Sequence, residues 1–183
     1  MTAEVPKPGG LPGNPMMWVL IASEIAVFGA GLAGFAGARI FKPEEFAQSQ
    51  AMLDRLAGTI NTAVLLTSGL FAALAINARG HGDRGRTRLH LGLAGLLGLV
   101  FLVVKFVEYA DKLDAGIGME TNTFFTLYFL LTGFHFLHVI FGLILLAIVA
   151  VWDSIDNLET GAAYWHMVDL VWVLIFPIVY LVR

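Results

Sequence analysis

The sequence contains no cysteine among its 183 residues. This absence excludes disulfides, thiolate nucleophiles, iron–sulfur ligands and cysteine-based zinc sites together. Charge is also scarce, because Asp, Glu, Lys and Arg make up 14% of the chain, whereas an ordinary soluble domain has about 25%. Hydrophobic residues make up 58%, and this composition indicates an integral membrane protein. The formal net charge of -3 gives no indication of nucleic-acid binding.

Five apolar segments are long enough to cross a membrane, since a helix needs about 20 residues to span the hydrocarbon. They lie at 17–38, 59–78, 89–109, 123–151 and 163–182. Outside them the sequence has no stretch long enough for a soluble domain, no internal repeat and no low-complexity tract. We therefore predict an all-α integral membrane bundle of five transmembrane helices, which forms a single domain over 1–183.

The first apolar segment is too long for the core of a signal peptide, so we predict that it is retained as a transmembrane helix. Residues 1–15 contain four prolines and three glycines. Because proline is poorly tolerated inside a helix, we predict that these residues form an extended tail that the first helix cannot include.

The densest group of basic residues lies between the second and third segments and comprises Arg79, Arg84, Arg86 and Arg88. We interpret it as a topology signal rather than a nucleic-acid site, which places this connection in the cytoplasm. The N-terminus is then cytoplasmic and the C-terminus lies on the outer side. The longest connection, 39–58, also falls outside, and its mixture of apolar and charged residues predicts a short interfacial helix.

The first helix carries small residues at every fourth position, namely Ala22, Ala26, Ala30, Gly34 and Ala38. Lipid gives helices little hydrophobic reason to associate, so close approach over small side chains takes that role. We therefore predict that Ala26, Ala30 and Gly34 pack against other helices, within the chain and between subunits.

The ionisable residues that interrupt the apolar segments include Glu24, Lys105, Glu108, His135, His138, His166 and Asp169. Such groups are expensive inside a bilayer and need a partner or a function. Counting residues inward from the helix ends predicts an inner cluster of Glu24, His138, His166 and Asp169. Lys105 and Glu108 approach the outer edge and, at i and i+3, can pair with each other.

Several kinds of chemistry can be weighed for these residues. A haem held by two histidines needs them on facing helices; His135 and His138 share one helix, although either can pair with His166. A di-metal carboxylate site needs Glu-x-x-His pairs on facing helices, and the chain offers only the reversed order, His166 before Asp169. A proton path needs titratable groups from face to face. We favour a structural polar network that contacts a lipid headgroup or a partner.

Several strings resemble those of the cytochrome c oxidase subunit III family. Residues 164–172 are similar to its Tyr-Trp-His-Phe-Val-Asp-Val-Val-Trp signature, and 131–142 to its Thr-Gly-Phe-His-Gly-Leu-His helix. Residues 18–29 resemble the helix that carries the family's membrane-buried glutamate, while 61–69 and 108–109 match two further blocks. The blocks span all five predicted helices in the family's order. This chain departs from the family pattern at Phe136, which replaces a glycine, and at Lys105, which is unusual inside the third helix. It also lacks the first two of the seven helices that mitochondrial-type members have.

The resemblance implies a non-catalytic accessory subunit that packs against a catalytic, haem-bearing membrane subunit and supports its assembly, stability and proton uptake. It implies no cofactor in this chain apart from bound phospholipid, and a place in a bacterial inner membrane. Glu24 matches the buried glutamate, and the network positions of the family fall on His135, His138, His166 and Asp169. The short length and proline-rich start are most similar to the accessory subunit of bacterial nitric oxide reductase.

The sequence therefore predicts an accessory subunit of a respiratory haem-copper oxidase or nitric oxide reductase, with membrane lipids and the catalytic subunit as partners and no nucleic acid. The alternative function is an autonomous proton or small-solute transporter of the inner membrane. A haem protein is a further alternative.

Overall fold

The computed structural model describes residues 14–182. Its helices are α1 Pro15–Phe41, α2 Pro43–Ala51, α3 Arg55–Gly80, α4 Arg84–Asp114, α5 Thr123–Val151 and α6 Ile155–Phe176, followed by a π-helical turn, Pro177–Leu181. All of them except the short α2 are long and apolar enough to cross a membrane, α6 together with the π-helical turn. The prediction of an all-α bundle with five transmembrane helices is confirmed.

Polar side chains cap the helices at positions that hydropathy does not reveal. Asn14 accepts a hydrogen bond from the N–H of Met16 and begins α1, with Pro15 as its first residue. The prediction that Pro15 belongs to an extended tail is therefore wrong, because the first position of a helix needs no N–H donor; 1–13 lie outside the described residues. Similarly, Ser154 Oγ accepts a hydrogen bond from the N–H of Asn157 and caps the start of α6. This helix therefore begins eight residues before the apolar segment 163–182.

α6 lies at the centre of the bundle and contacts α1, α3 and α5. Its Trp165 is fully buried, and the indole N–H donates to Ser68 Oγ on α3 at 3.1 Å. A Cβ at Gly98 of α4 would lie 2.8 Å from the Trp165 ring, and one at Gly142 of α5 would lie 2.7 Å from it. Trp165 thus occupies a slot between two neighbouring helices that only glycine leaves open.

Three members of the small-residue row of α1 do not pack within the chain. Ala26, Ala30 and Gly34 are exposed, and a Cβ at Gly34 has no atom within 4 Å. α1 instead packs through large side chains, of which Phe28 and Phe35 are almost completely buried. The predicted contacts inside the chain are therefore wrong, because the four-residue row lies on a different face of the helix; the contacts between subunits stay a prediction.

The short α2 falls within the connection for which an interfacial helix was predicted. It packs against the π-helical turn, where Gln50 Nε2 donates to the carbonyls of Val179 and Val182 at 2.8 and 3.0 Å.

At the opposite end of the bundle, Arg79 and Arg84 approach Asp153 at 3.9 and 3.7 Å. The arginine-rich connection and the α5–α6 connection thus lie at the same end.

Candidate functional site

Lys105 on α4 is buried, with 1% of its surface exposed. Its Nζ forms an ion pair with Glu108 Oε2 at 3.0 Å and donates to Tyr128 Oη at 3.1 Å and Tyr180 Oη at 2.8 Å. Both tyrosines donate in turn to Glu108 Oε1, at 2.7 Å from Tyr128 and 2.8 Å from Tyr180. We call these four residues the Lys105 cluster. All three ammonium protons are used within it, so the buried charge is satisfied inside the chain.

Aromatic rings surround the same ammonium group. The Nζ atom of Lys105 lies 4.8 Å from the ring centre of Tyr109 and 5.4 Å from that of Trp172. The rings of Tyr128 and Tyr180 lie at 5.1 and 5.5 Å. Cation–π attraction adds to the hydrogen bonds where water is scarce. This arrangement joins α4, α5 and the π-helical turn towards the end of the bundle opposite the arginine-rich connection.

The sequence predicts the pairing of Lys105 with Glu108, because i,i+3 residues share a helix face. It does not identify Tyr128 and Tyr180 as partners. A signal exists nevertheless, since a buried lysine needs three acceptors, and both tyrosines lie near the ends of apolar segments that reach the same end of the bundle as Lys105.

Glu24 on α1 contacts His138 on α5, with 3.0 Å between Oε2 and Nε2. The other ring nitrogen, Nδ1, lies 2.8 Å from the carbonyl oxygen of Phe134. Because a carbonyl can only accept, Nδ1 carries a proton, and the contact with Glu24 then requires a second proton on the imidazole or on the carboxyl. The pair therefore links α1 to α5.

His166 and Asp169 form a second pair on α6, with 3.7 Å between Nδ1 and Oδ2. The Asp169 side chain is 7% exposed and that of His166 is 46% exposed. Gly69 of α3 makes this possible, because a Cβ there would overlap Asp169 Oδ2. Asp169 Oδ1 is buried without a hydrogen-bond partner in the described part of the chain.

The predicted inner cluster is therefore wrong as a single unit. Within 14–182, no hydrogen bond or ion pair joins the Glu24–His138 pair to the His166–Asp169 pair. Depth counting finds the layer of a residue but not the direction in which it faces. His166 lies in a groove of about 480 Å³ that α1 and α6 form with Ile76 of α3, whereas His138 faces Glu24 of α1.

His135 is fully buried on α5, and neither of its ring nitrogens has a hydrogen-bond partner in the described chain. Its ring stacks on Trp172 at 5.2 Å and meets Phe101 edge-on at 5.7 Å. His138 is engaged by Glu24, so the structure brings neither histidine to His166. No group of three His, Asp or Glu side chains within 14–182 has a geometry that could hold a metal ion.

The family described as cytochrome c oxidase subunit III matches residues 52–182. A protein of Aeropyrum pernix named heme-copper oxidase subunit I+III is 33% identical over 91% of this chain, which spans 22% of that protein. The cytochrome c oxidase subunit 3 of a Synechocystis species is 28% identical over 89% of this chain and 72% of its own length. The probable cytochrome c oxidase subunit 3 of Mycobacterium bovis is 25% identical, over 97% and 90% respectively.

Proposed function

This chain belongs to the cytochrome c oxidase subunit III family, and we propose that it is a non-catalytic accessory subunit of a bacterial respiratory haem-copper oxidase. It packs against the catalytic, haem-bearing subunit in the inner membrane and supports the assembly, stability and proton uptake of that subunit. The names of its relatives support the oxidase assignment, and the Aeropyrum pernix relative joins subunits I and III in its name.

The observation that carries the accessory role is the self-contained Lys105 cluster. Its ammonium, carboxylate and two hydroxyl groups satisfy one another, with Lys105 buried between three elements of the bundle. Groups engaged in this way stabilise a scaffold and leave no open position for a substrate. The two histidine–carboxylate pairs likewise lie within or between helices of the bundle.

Topology supports the same proposal. The Arg79–Arg88 connection lies at the end of the bundle where Asp153 pairs with Arg79 and Arg84. By the positive-inside rule this end faces the cytoplasm. The N-terminus is then cytoplasmic and the C-terminus periplasmic, so the Lys105 cluster lies towards the periplasm and the Glu24–His138 pair towards the cytoplasm.

The test is purification of the affinity-tagged chain from its own membranes in a mild detergent, followed by mass spectrometry of the proteins retained. We expect the catalytic subunit of a haem-copper oxidase, with haem absorbance that follows that subunit. Retention of a nitric oxide reductase instead would support the other partner predicted from the short length and proline-rich start. A chain that purifies without any catalytic subunit, or that shows a Soret band when isolated, would contradict the accessory role.

The alternative function, a proton transporter, is favoured by one observation. The Glu24–His138 pair lies towards one end of the bundle and the Lys105 cluster towards the other. The buried His135 lies about one helical turn from His138, on the side of the Lys105 cluster. Liposomes that contain the purified chain distinguish the two functions. Proton flux that Glu24→Gln abolishes would favour transport, whereas flux equal to that of empty liposomes supports the accessory role.

A further inference from the structure

The groove that α1 and α6 form with Ile76 of α3 has one imidazole in a mostly apolar wall. Its volume is about 480 Å³. It extends along α6 from Glu159 to Leu170, a distance of roughly 16 Å at 1.5 Å per residue. Leu170 and Ile25 are exposed, so the groove opens on the outside of the bundle. We call it the His166 groove.

The imidazole of His166 has one free ring nitrogen. Nδ1 faces Asp169 Oδ2 at 3.7 Å, whereas Nε2 has no hydrogen bond within 14–182. The side chain is 46% exposed and belongs to the membrane-spanning stretch Ile155–Leu181, so its exposed surface faces hydrocarbon. A polar atom in that position costs free energy unless a ligand or a partner forms a hydrogen bond with it. Nε2 is therefore an open hydrogen-bonding position in the groove.

Charge, length and lining restrict what can occupy the groove. Glu159 places a carboxylate at its rim, which disfavours an anionic headgroup. A helix of another protein that crosses the membrane needs about 30 Å, nearly twice the length of the groove. Trp18 and Met167 line the groove, and both kinds of side chain favour contact with an aromatic ring. These properties favour a neutral, membrane-soluble molecule with a flat aromatic head.

We propose that the His166 groove binds a quinol, a hydroxylated aromatic ring on an isoprenoid tail, with one hydroxyl donating to His166 Nε2. A carboxylate at Asp169 favours the tautomer that carries its proton on Nδ1, which leaves Nε2 as an acceptor. The tail follows the apolar wall past Leu170 and Ile25 into the lipid. The proposal concerns binding and includes no electron transfer. It depends on the membrane position of the chain and not on which enzyme the chain accompanies.

The test is native mass spectrometry of the isolated full-length chain in detergent, titrated with decylubiquinol under argon. We expect saturation at one molecule per chain. Decylbenzene has the same tail length and no oxygen, so it should be retained about fivefold less, the value of one net hydrogen bond. Phosphatidylglycerol in equal amount should not displace the quinol. Adducts that rise without saturation, equal retention of decylbenzene, or displacement by phosphatidylglycerol would overturn the proposal.

Two pairs of variants locate the site. His166→Phe keeps a ring without Nε2 and should lower quinol retention about fivefold. His166→Gln restores a hydrogen-bonding group near the position of Nε2 and should recover most of that retention. Ala163→Leu fills the groove and should abolish saturable binding. Gly92→Leu places the same side chain in open space on α4 and should leave binding unchanged.

Folding of each variant is checked by its melting temperature. Parental retention in folded His166→Phe, or equal retention in Ala163→Leu and Gly92→Leu, would contradict the site. If His166→Phe does not fold, the second pair decides alone. Loss of the catalytic subunit from Ala163→Leu with quinol retention intact would show that the groove is a protein interface. A chain that binds quinol but purifies without a catalytic subunit would contradict the proposed function and support this inference.

Discussion

The hydroxyl of Tyr180 donates to Glu108 Oε1 at 2.8 Å and accepts from Lys105 at the same distance. This one group connects the π-helical turn at the end of α6 to the middle of the chain. Its position depends on Gly58 of α3, where a Cβ would lie 3.3 Å from the Tyr180 ring. The last turn is therefore held by a hydrogen bond on one side and by close packing on the other.

Removal of the Tyr180 hydroxyl should destabilise the end of the bundle that contains the Lys105 cluster. We expect Tyr180→Phe to lower the unfolding free energy by about 1–3 kcal/mol, because Lys105 and Glu108 each lose a buried hydrogen bond. Thermal unfolding in detergent measures the effect. Tyr164→Phe is the matched control, since no hydrogen bond of its hydroxyl is described. Equal melting temperatures for Tyr180→Phe and the parent chain would show that the cluster adds nothing to stability.

The contributions of Lys105 and Glu108 to the stability of the chain should depend on each other. Lys105→Met leaves a buried carboxylate without its counter-ion and should cost about 3–5 kcal/mol, and Glu108→Leu should be similarly harmful. The double variant removes both charges and should be more stable than either single variant. A double-mutant cycle from chemical unfolding in mixed micelles gives the coupling energy. Additive effects would mean that the two groups do not act as a pair.

The slot for Trp165 predicts that two glycine substitutions on α5 have different effects on stability. Gly142→Ala places a Cβ 2.7 Å from the Trp165 ring and should destabilise the chain by about 1–3 kcal/mol. Gly133→Ala is the control on the same helix, because a Cβ there meets no atom within 4 Å. It should be neutral or slightly stabilising, since alanine is the better helix former. The comparison uses the yield and melting temperature of both variants, and a reversed order would contradict the slot.

The His166–Asp169 pair should affect assembly more than turnover. We expect Asp169→Asn or His166→Ala to lower the amount of assembled complex and its melting temperature, while turnover per assembled complex changes little. The reason is that Asp169 is buried where α6 packs closely against Gly69 of α3, so a change at this pair disturbs the contact between the two helices. Activity is normalised to haem content in membranes and in purified complex. Full assembly with a large loss of turnover would instead indicate that the pair conducts protons.

The transmembrane helices could be predicted because each needs a long apolar stretch, and that requirement is visible in composition. Their ends could not, since capping residues and polar first turns look like loops. α6 illustrates this, because Asp156, Asn157 and Glu159 conceal a helix that begins at Ile155.

The contacts of the candidate site could likewise be predicted only in part. Lys105 and Glu108 are three residues apart on one helix, so their contact is local and the sequence predicts it. Tyr180 reaches them from another part of the chain, and no local pattern specifies which face of α6 meets α4. The same lack of directional information led to the prediction of one inner cluster where the structure has two pairs.

The slot around Trp165 has a consequence for how this chain can change over evolutionary time. Positions 98, 142 and 165 lie on three different helices yet share one volume. A larger residue at either glycine is compatible with the fold only if position 165 becomes smaller in the same lineage, and a smaller residue at 165 alone leaves a cavity. These three positions should therefore vary together or not at all, and an alignment of close relatives would display them as a covarying triplet.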